Sequence, residues 1–123
     1  MQLVDTNIFI DHFRGYAPAT VFFESLDKNN VIFSAISESE IIAGKKCSEN
    51  KKKEEILQFL GKWHKIDVNN PIAVKAGDLA REYGIELADA IIAASALINK
   101  SELLTRNVGD FNNIPDLIVK NPY

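Results

Sequence analysis

Short apolar runs and longer stretches of helical spacing take turns along this chain. Residues 1–4 are largely apolar and stop at Asp5-Thr6-Asn7, three residue types that favour helix N-caps and turns, so a strand passes into a helix there. That helix carries Ile8, Phe9, Ile10 and Phe13 and stops at Gly15. Pro18 opens a second helix through Phe22, Phe23 and Leu26, which ends at Lys28-Asn29-Asn30. Residues 31–36 form a continuous apolar run, as expected of a strand buried on both faces. Ser37-Glu38-Ser39-Glu40 then opens another helix, with Ser37 and Glu40 in capping-box spacing. A junction rich in Lys and Glu over 47–55 leads to a helix of Ile56, Leu57, Phe59, Leu60 and Trp63. A short strand at 65–68 is followed by a helix that Asn69-Asn70-Pro71 starts and Gly84 stops. Residues 85–100 make the most apolar helix, and Leu103-Leu104 is the last core strand. A polar loop with Asp110-Phe111 and an edge strand at 117–119 complete the chain.

Strands alternating with helices predict an α/β fold whose parallel sheet is covered on both faces. At 123 residues, with no repeat or linker, a single domain over 1–123 is expected. With 46% hydrophobic and 25% charged residues, disordered and fibrous classes are excluded. A net charge of −3 argues against a surface that is basic throughout, while leaving room for a local basic patch. The single Cys47 has no partner for an internal disulfide, and no Cys/His cluster has zinc-ligand spacing, which fits a reducing cytoplasm. Asp5 and Asp11 interrupt any secretory signal, and the longest apolar run, 90–98, is about half of the roughly 20 residues that span a bilayer, so no membrane segment is expected.

Four acids stand out by position. In a parallel sheet the functional site lies outside the carboxyl ends of the strands. Asp5 and Asp110 each follow a strand, Glu40 lies about one helical turn beyond a third, and Asp89 begins the apolar helix before the last one. Each has an ordinary reading of its own: a helix cap for Asp5, the capping box for Glu40, a dipole partner for Asp89 and a turn residue for Asp110. Asp89 is the most informative, because its helix is apolar on nearly every face and an isolated buried carboxylate is costly. Converging carboxylates repel unless a cation joins them, and an all-oxygen set suits Mg²⁺ or Mn²⁺ and not zinc. The chemistry to expect is phosphodiester hydrolysis, with a metal lowering the pKa of a bound water and offsetting charge on the phosphate. Asn7, Thr105 and Asn107 are neutral groups suited to orienting water or phosphate, or to capping and turns.

These residues make the chain resemble the PIN-domain ribonucleases, and within them the VapC-type toxins of toxin–antitoxin pairs. The resemblance runs end to end. It rests on Leu3-Val4-Asp5-Thr6-Asn7, on Ser37-x-x-Glu40 with Gly44, on Gly84-Ile85-x-Leu87-x-Asp89-Ala90-Ile91-Ile92-Ala93-Ala94, and on Leu104-Thr105-Arg106-Asn107-x-x-Asp110-Phe111. It implies a three-layer α/β/α sandwich with a central, mostly parallel sheet. It also implies a Mg²⁺ or Mn²⁺ site from Asp5, Glu40, Asp89 and Asp110, endonucleolytic cleavage of RNA, a homodimer, and inhibition by an antitoxin protein whose segment lies in a groove of the toxin.

The remaining polar residues change this picture little. Lys45, Lys46, Lys51, Lys52, Lys53 and Lys62 are suited to phosphate contacts, but Glu49, Glu54 and Glu55 are interleaved with them as on a solvated face. Phe9, Phe13, Phe22, Phe23, Phe59 and Trp63 have core spacing, with a partner-helix groove as a second use. His12 and His64 lack the arrangement of a nucleophilic site. A haloacid-dehalogenase-like phosphatase would want Asp-x-Asp where Asp5-Thr6-Asn7 stands. A non-catalytic RNA- or protein-binding module on the same fold, and an RNA-processing nuclease without an antitoxin, are the rival functions for this pattern.

Overall fold

Each central strand turns one apolar residue to one face of the sheet and the next to the other, as the two-residue period requires. In the computed structural model, which describes residues 1–123, the strands are β1 (Gln2–Val4), β2 (Val31–Ser34), β3 (His64–Ile66), β4 (Glu102–Leu104) and β5 (Val119–Lys120). They form one five-stranded sheet in the order β3-β2-β1-β4-β5, and every neighbouring pair is parallel. Leu3, Ile32 and Leu103 are in register and share one face, while Val4, Val31, Phe33 and Leu104 face the opposite side.

Helices cover both sides. Leu3, Ile32 and Leu103 pack against α5 (Asn70–Tyr83) and α6 (Leu87–Ile98) through Ile72, Ala76, Leu79, Ile92 and Ala93. The other face meets α1 (Thr6–Phe13), α2 (Ala17–Ser25) and α4 (Asn50–Leu60) through Ile8, Phe9, Phe23, Ile56 and Leu60. Phe9, Phe23, Phe33, Phe59 and Trp63 interlock there at centroid distances of 5.0–6.3 Å, so these aromatics are core as their spacing predicts. Two further helices, α3 (Ala35–Ile42) and α7 (Val108–Phe111), complete a three-layer α/β/α sandwich. No helix is long and apolar enough to cross a membrane.

Helix ends follow local chemistry. Asn69 caps α5 by accepting from the Ile72 amide, Pro71 sits in the first turn, and Gly84 closes the helix at φ +63°, a left-handed conformation that glycine adopts without strain. β2 differs from the expected 31–36 strand. Ser34 is the last residue of the strand, its hydroxyl accepts from the Ile36 amide, and α3 begins at Ala35. The capping box expected of Ser37 and Glu40 is therefore not formed, because both residues lie inside α3. An apolar run such as Ala35-Ile36 fits the first turn of a buried helix as well as a strand. β3 stops at Ile66, short of the expected Val68, since its neighbour β2 ends opposite it at Ser34. The polar segment around Asp110 is a one-turn helix, anchored by buried Phe111.

With Ser34 as the cap of α3, Ser34→Ala lowers unfolding free energy by about 1 kcal/mol at unchanged m-value. Urea denaturation checks this, and an unaltered midpoint would remove the cap.

Candidate metal-binding active site

The chain builds outward from β1 to β2 and β3, then crosses to the other side for β4 and β5. This reversal makes the carboxyl ends of β1 and β4 a topological switch point, where open α/β sheets form their clefts. Asp5 leaves β1 at that point. Its amide donates to the Leu104 carbonyl at 2.9 Å, joining it to the end of β4. Its side chain is the N-cap of α1, with Oδ1 accepting from the Thr6 amide at 2.7 Å. Oδ2 accepts from the Thr105 hydroxyl, also at 2.7 Å. The cap reading and the site reading of Asp5 thus describe one geometry.

The other acids arrive from separate elements. Glu40 lies in α3, and Asp89 occupies the first turn of α6. Because α6 runs back toward the start of β4, its N-terminus lies at the carboxyl edge of the sheet. Asp110 sits in α7, beyond β4. Asp5 is buried, Asp89 half-buried, and Glu40 and Asp110 exposed. Burial pushes the Asp5 carboxyl up to about 6, against hydrogen bonds that favour its charge and with the help of the fields of Asp89 and Glu40. Asp89 is also raised, first by burial and then by Glu40, Asp110 and Glu86. Asp89 is therefore the common neighbour, within the electrostatic reach of Glu40, Asp110 and Asp5. No three His, Cys, Asp or Glu side chains form a closed metal-holding group. The acids are linked instead through their fields, which meet at Asp89.

The neutral residues connect this set. Thr105, fully buried, donates to Asp5 and accepts from the Asn107 amide at 3.0 Å. The Asn7 carboxamide nitrogen donates to the Thr105 hydroxyl oxygen at 3.3 Å. Asn7 Oδ1 is buried without a hydrogen-bond partner. Such an orphan acceptor is uncommon and asks for a water or cation-borne donor. Two residues were missed by sequence reasoning. Thr6 Oγ1 lies 2.7 Å from Glu40 Oε1 and 2.8 Å from Ser37 Oγ, tying α1 to α3 and restraining the Glu40 carboxylate. Their signal was faint: Thr6 adjoins Asp5, and Ser37 stands one helical turn before Glu40.

An all-oxygen donor set, a buried carboxylate with a raised pKa and an unpaired carboxamide oxygen fit a hard divalent cation. Asp5, Glu40, Asp89 and Asp110 are the groups that would hold it. His12 and Cys47 stand outside the set: His12 stacks on Phe59 at 4.3 Å, and Cys47 is buried in the core.

The raised Asp5 pKa makes a testable statement about stability. Between 3.8 and about 6 the folded state holds a proton that the unfolded chain releases, so folding stability falls as pH rises through this window. In the presence of a chelator, Asp5→Asn should gain on its parent by about 2 kcal/mol between pH 4 and pH 7. Chemical denaturation at both pH values measures it. Parallel profiles would mean that Asp5 is not titrating as the geometry requires.

The PIN domain model matches residues 3–117. Ribonuclease VapC19 of Mycobacterium tuberculosis is 36% identical over 95% of this chain and 97% of its own length. Ribonuclease VapC2 of Rickettsia felis is 31% identical over 98% of this chain and 97% of its own. Among solved structures, a toxin–antitoxin complex from Klebsiella pneumoniae superposes with a TM-score of 0.86 at 33% identity, covering 100% of this chain and 98% of that one. VapBC2 from Rickettsia felis, bound to a DNA fragment from its promoter, gives a TM-score of 0.81 at 25% identity, with 98% and 97% coverage. With all four acids and the buried residues of the three central strands inside the matched region, this chain belongs to the PIN domain family.

Proposed function

We propose that this chain is a metal-dependent endoribonuclease that hydrolyses RNA phosphodiester bonds and acts as the toxin of a VapBC-type toxin–antitoxin pair. The observation that carries the proposal is the buried Asp5 carboxyl at the β1/β4 switch point, shifted upward and within the field of two further acids from α3 and α6. Similarity to proteins called ribonucleases along nearly the whole chain supports RNA as substrate. Similarity to toxin–antitoxin complexes supports an antitoxin partner, and the homodimer is proposed on the family resemblance.

In this proposal Asp5, Glu40, Asp89 and Asp110 hold Mg²⁺ or Mn²⁺. When bound, the ion acidifies water and offsets the negative charge that develops on the phosphate. Thr105 keeps Asp5 fixed through its hydrogen bond, and Asn7 and Thr105 hold the neutral side of the cleft. Asn107 starts α7 and so sets where Asp110 stands. Thr6 and Ser37 restrain Glu40, whose side chain would otherwise be a free, exposed rotor on α3.

Replacing Asp89 by Asn removes the charge that interacts with each of the other three acids and leaves the volume nearly unchanged. Cleavage of total RNA in Mn²⁺ should fall by roughly 100-fold or more, since even neighbours of metal ligands cost about 10–100-fold when mutated. The melting temperature without metal should not fall, because carboxylate repulsion is relieved. Full activity in a pure Asp89→Asn preparation would sink the assignment.

A further inference from the structure

We infer that the recess walled by Arg14 and Arg106 along α1 is an RNA backbone subsite, seating a phosphate next to the one that is cut. The inference rests on the nuclease reading and gives it a substrate-holding surface. A cavity of about 410 Å³ lies against the acidic site, lined by Asn7, Ile10, Asp11, Arg14, Arg106 and Asn107. Only Ile10 among these is hydrophobic. Asn7, Ile10, Asp11 and Arg14 follow spacings of three and four residues, which places them on one stripe of α1. The stripe starts beside Asp5 and Thr105 and reaches Arg14 about 10 Å further on, from a rise of about 1.5 Å per residue. The loop after β4 forms the opposite wall. It carries Arg106 between Thr105, which binds Asp5, and Asn107.

Arg106 is held in place before any ligand arrives. Its Nη1 donates to buried Asp11 at 2.9 Å, and its guanidinium lies 5.6 Å from the centre of the Tyr16 ring. Tyr123 donates to the same Oδ2, at 2.7 Å, and adds a second restraint on the carboxylate. A guanidinium has five N–H donors, and only Nη1 is used inside the protein. Arg106 is still about half exposed, so its remaining donors face solvent with the planar geometry that suits phosphate. Arg14 is exposed at the end of α1 and takes part in no ion pair.

Charge explains why such a subsite is needed. The chain carries −3 overall and gathers carboxylates where a polyanion must approach. Attraction has to come from fixed local cations. The chain has three arginines, and two of them line this recess. The third, Arg81, is paired with Asp78 on α5. Two guanidiniums against the single Asp11 leave the recess positive beside the acids.

The test uses an Asp89→Asn background in chelator, so that nothing is cut, and a short fluorescein-labelled oligouridylate followed by anisotropy across a salt series. Arg14→Gln and Arg106→Gln should each weaken binding by roughly tenfold, as for one charge-assisted hydrogen bond lost. Each should also flatten the plot of log affinity against log salt by about 0.7, the share of one phosphate contact on a single strand. Arg81→Gln serves as the control and should leave both unchanged. Arg14 has no structural partner, so its variant reads the subsite even if loss of Arg106 strains the loop. Wild-type affinity and slope in Arg14→Gln would overturn the inference, and equal losses in all three variants would do the same. If the parent binds no RNA at all, the nuclease reading fails and the subsite fails with it.

Discussion

A carboxylate buried where two strands part company is expensive, and Asp5 is kept there by two short hydrogen bonds from Thr6 and Thr105. One comes from the helix it caps and the other from the loop after the neighbouring strand. The same contacts tie α1 to β1 and β1 to the loop after β4, so the position of the acid and the geometry of the sheet edge are one arrangement. Thr6 extends it to α3 through Glu40 and Ser37. Thr105 extends it toward α7 through the Asn107 amide. Burial without a counter-charge raises the pKa of Asp5 and works against folding at neutral pH. A divalent cation would reverse that sign. The chain therefore holds a site that is costly when empty, a common relation between stability and function.

Much of this was readable along the chain because the decisive signals are local. A strand that stops at Asp-Thr-Asn, the pair Asn69/Pro71 that opens α5 and the Gly84 that ends it are decided by backbone chemistry within a few residues. Asp89 on an apolar helix was legible for a different reason: an acid among Leu, Ile and Ala conflicts with burial and so points beyond packing. What escaped depends on contacts distant in sequence. Ser34 and Ser37 are both plausible helix starts, and the choice shows only in the sheet, where β2 pairs with β3 as far as Ser34. Thr6 meets Glu40 across 34 positions, a contact no local pattern encodes. The one-turn helix at Asp110 depends on Phe111 finding the core, so polar composition alone suggested a loop.

The acids and the arginines divide the labour of handling a polyanion. Carboxylates can gather a cation only by repelling the phosphates that the cation is meant to meet. Placing Arg14 and Arg106 along the next groove of the same helix provides attraction without neutralising the acids. Asp11 serves this division: buried and doubly hydrogen-bonded, it aims Arg106 and is not among the four acids proposed to hold the metal. Two aspartates at one helix thus have opposite uses, set by what surrounds each.

The carboxylate site can be tested without knowing the RNA, by titrating Mn²⁺ calorimetrically into the protein and into the double variant Asp5→Asn/Asp89→Asn. Asp5, Glu40, Asp89 and Asp110 as the proposed holders of the ion predict saturable binding in the parent and its loss in the variant, with both proteins folded. Equal binding in the two would place the metal elsewhere, and no binding in either would contradict the proposal that these acids hold a metal.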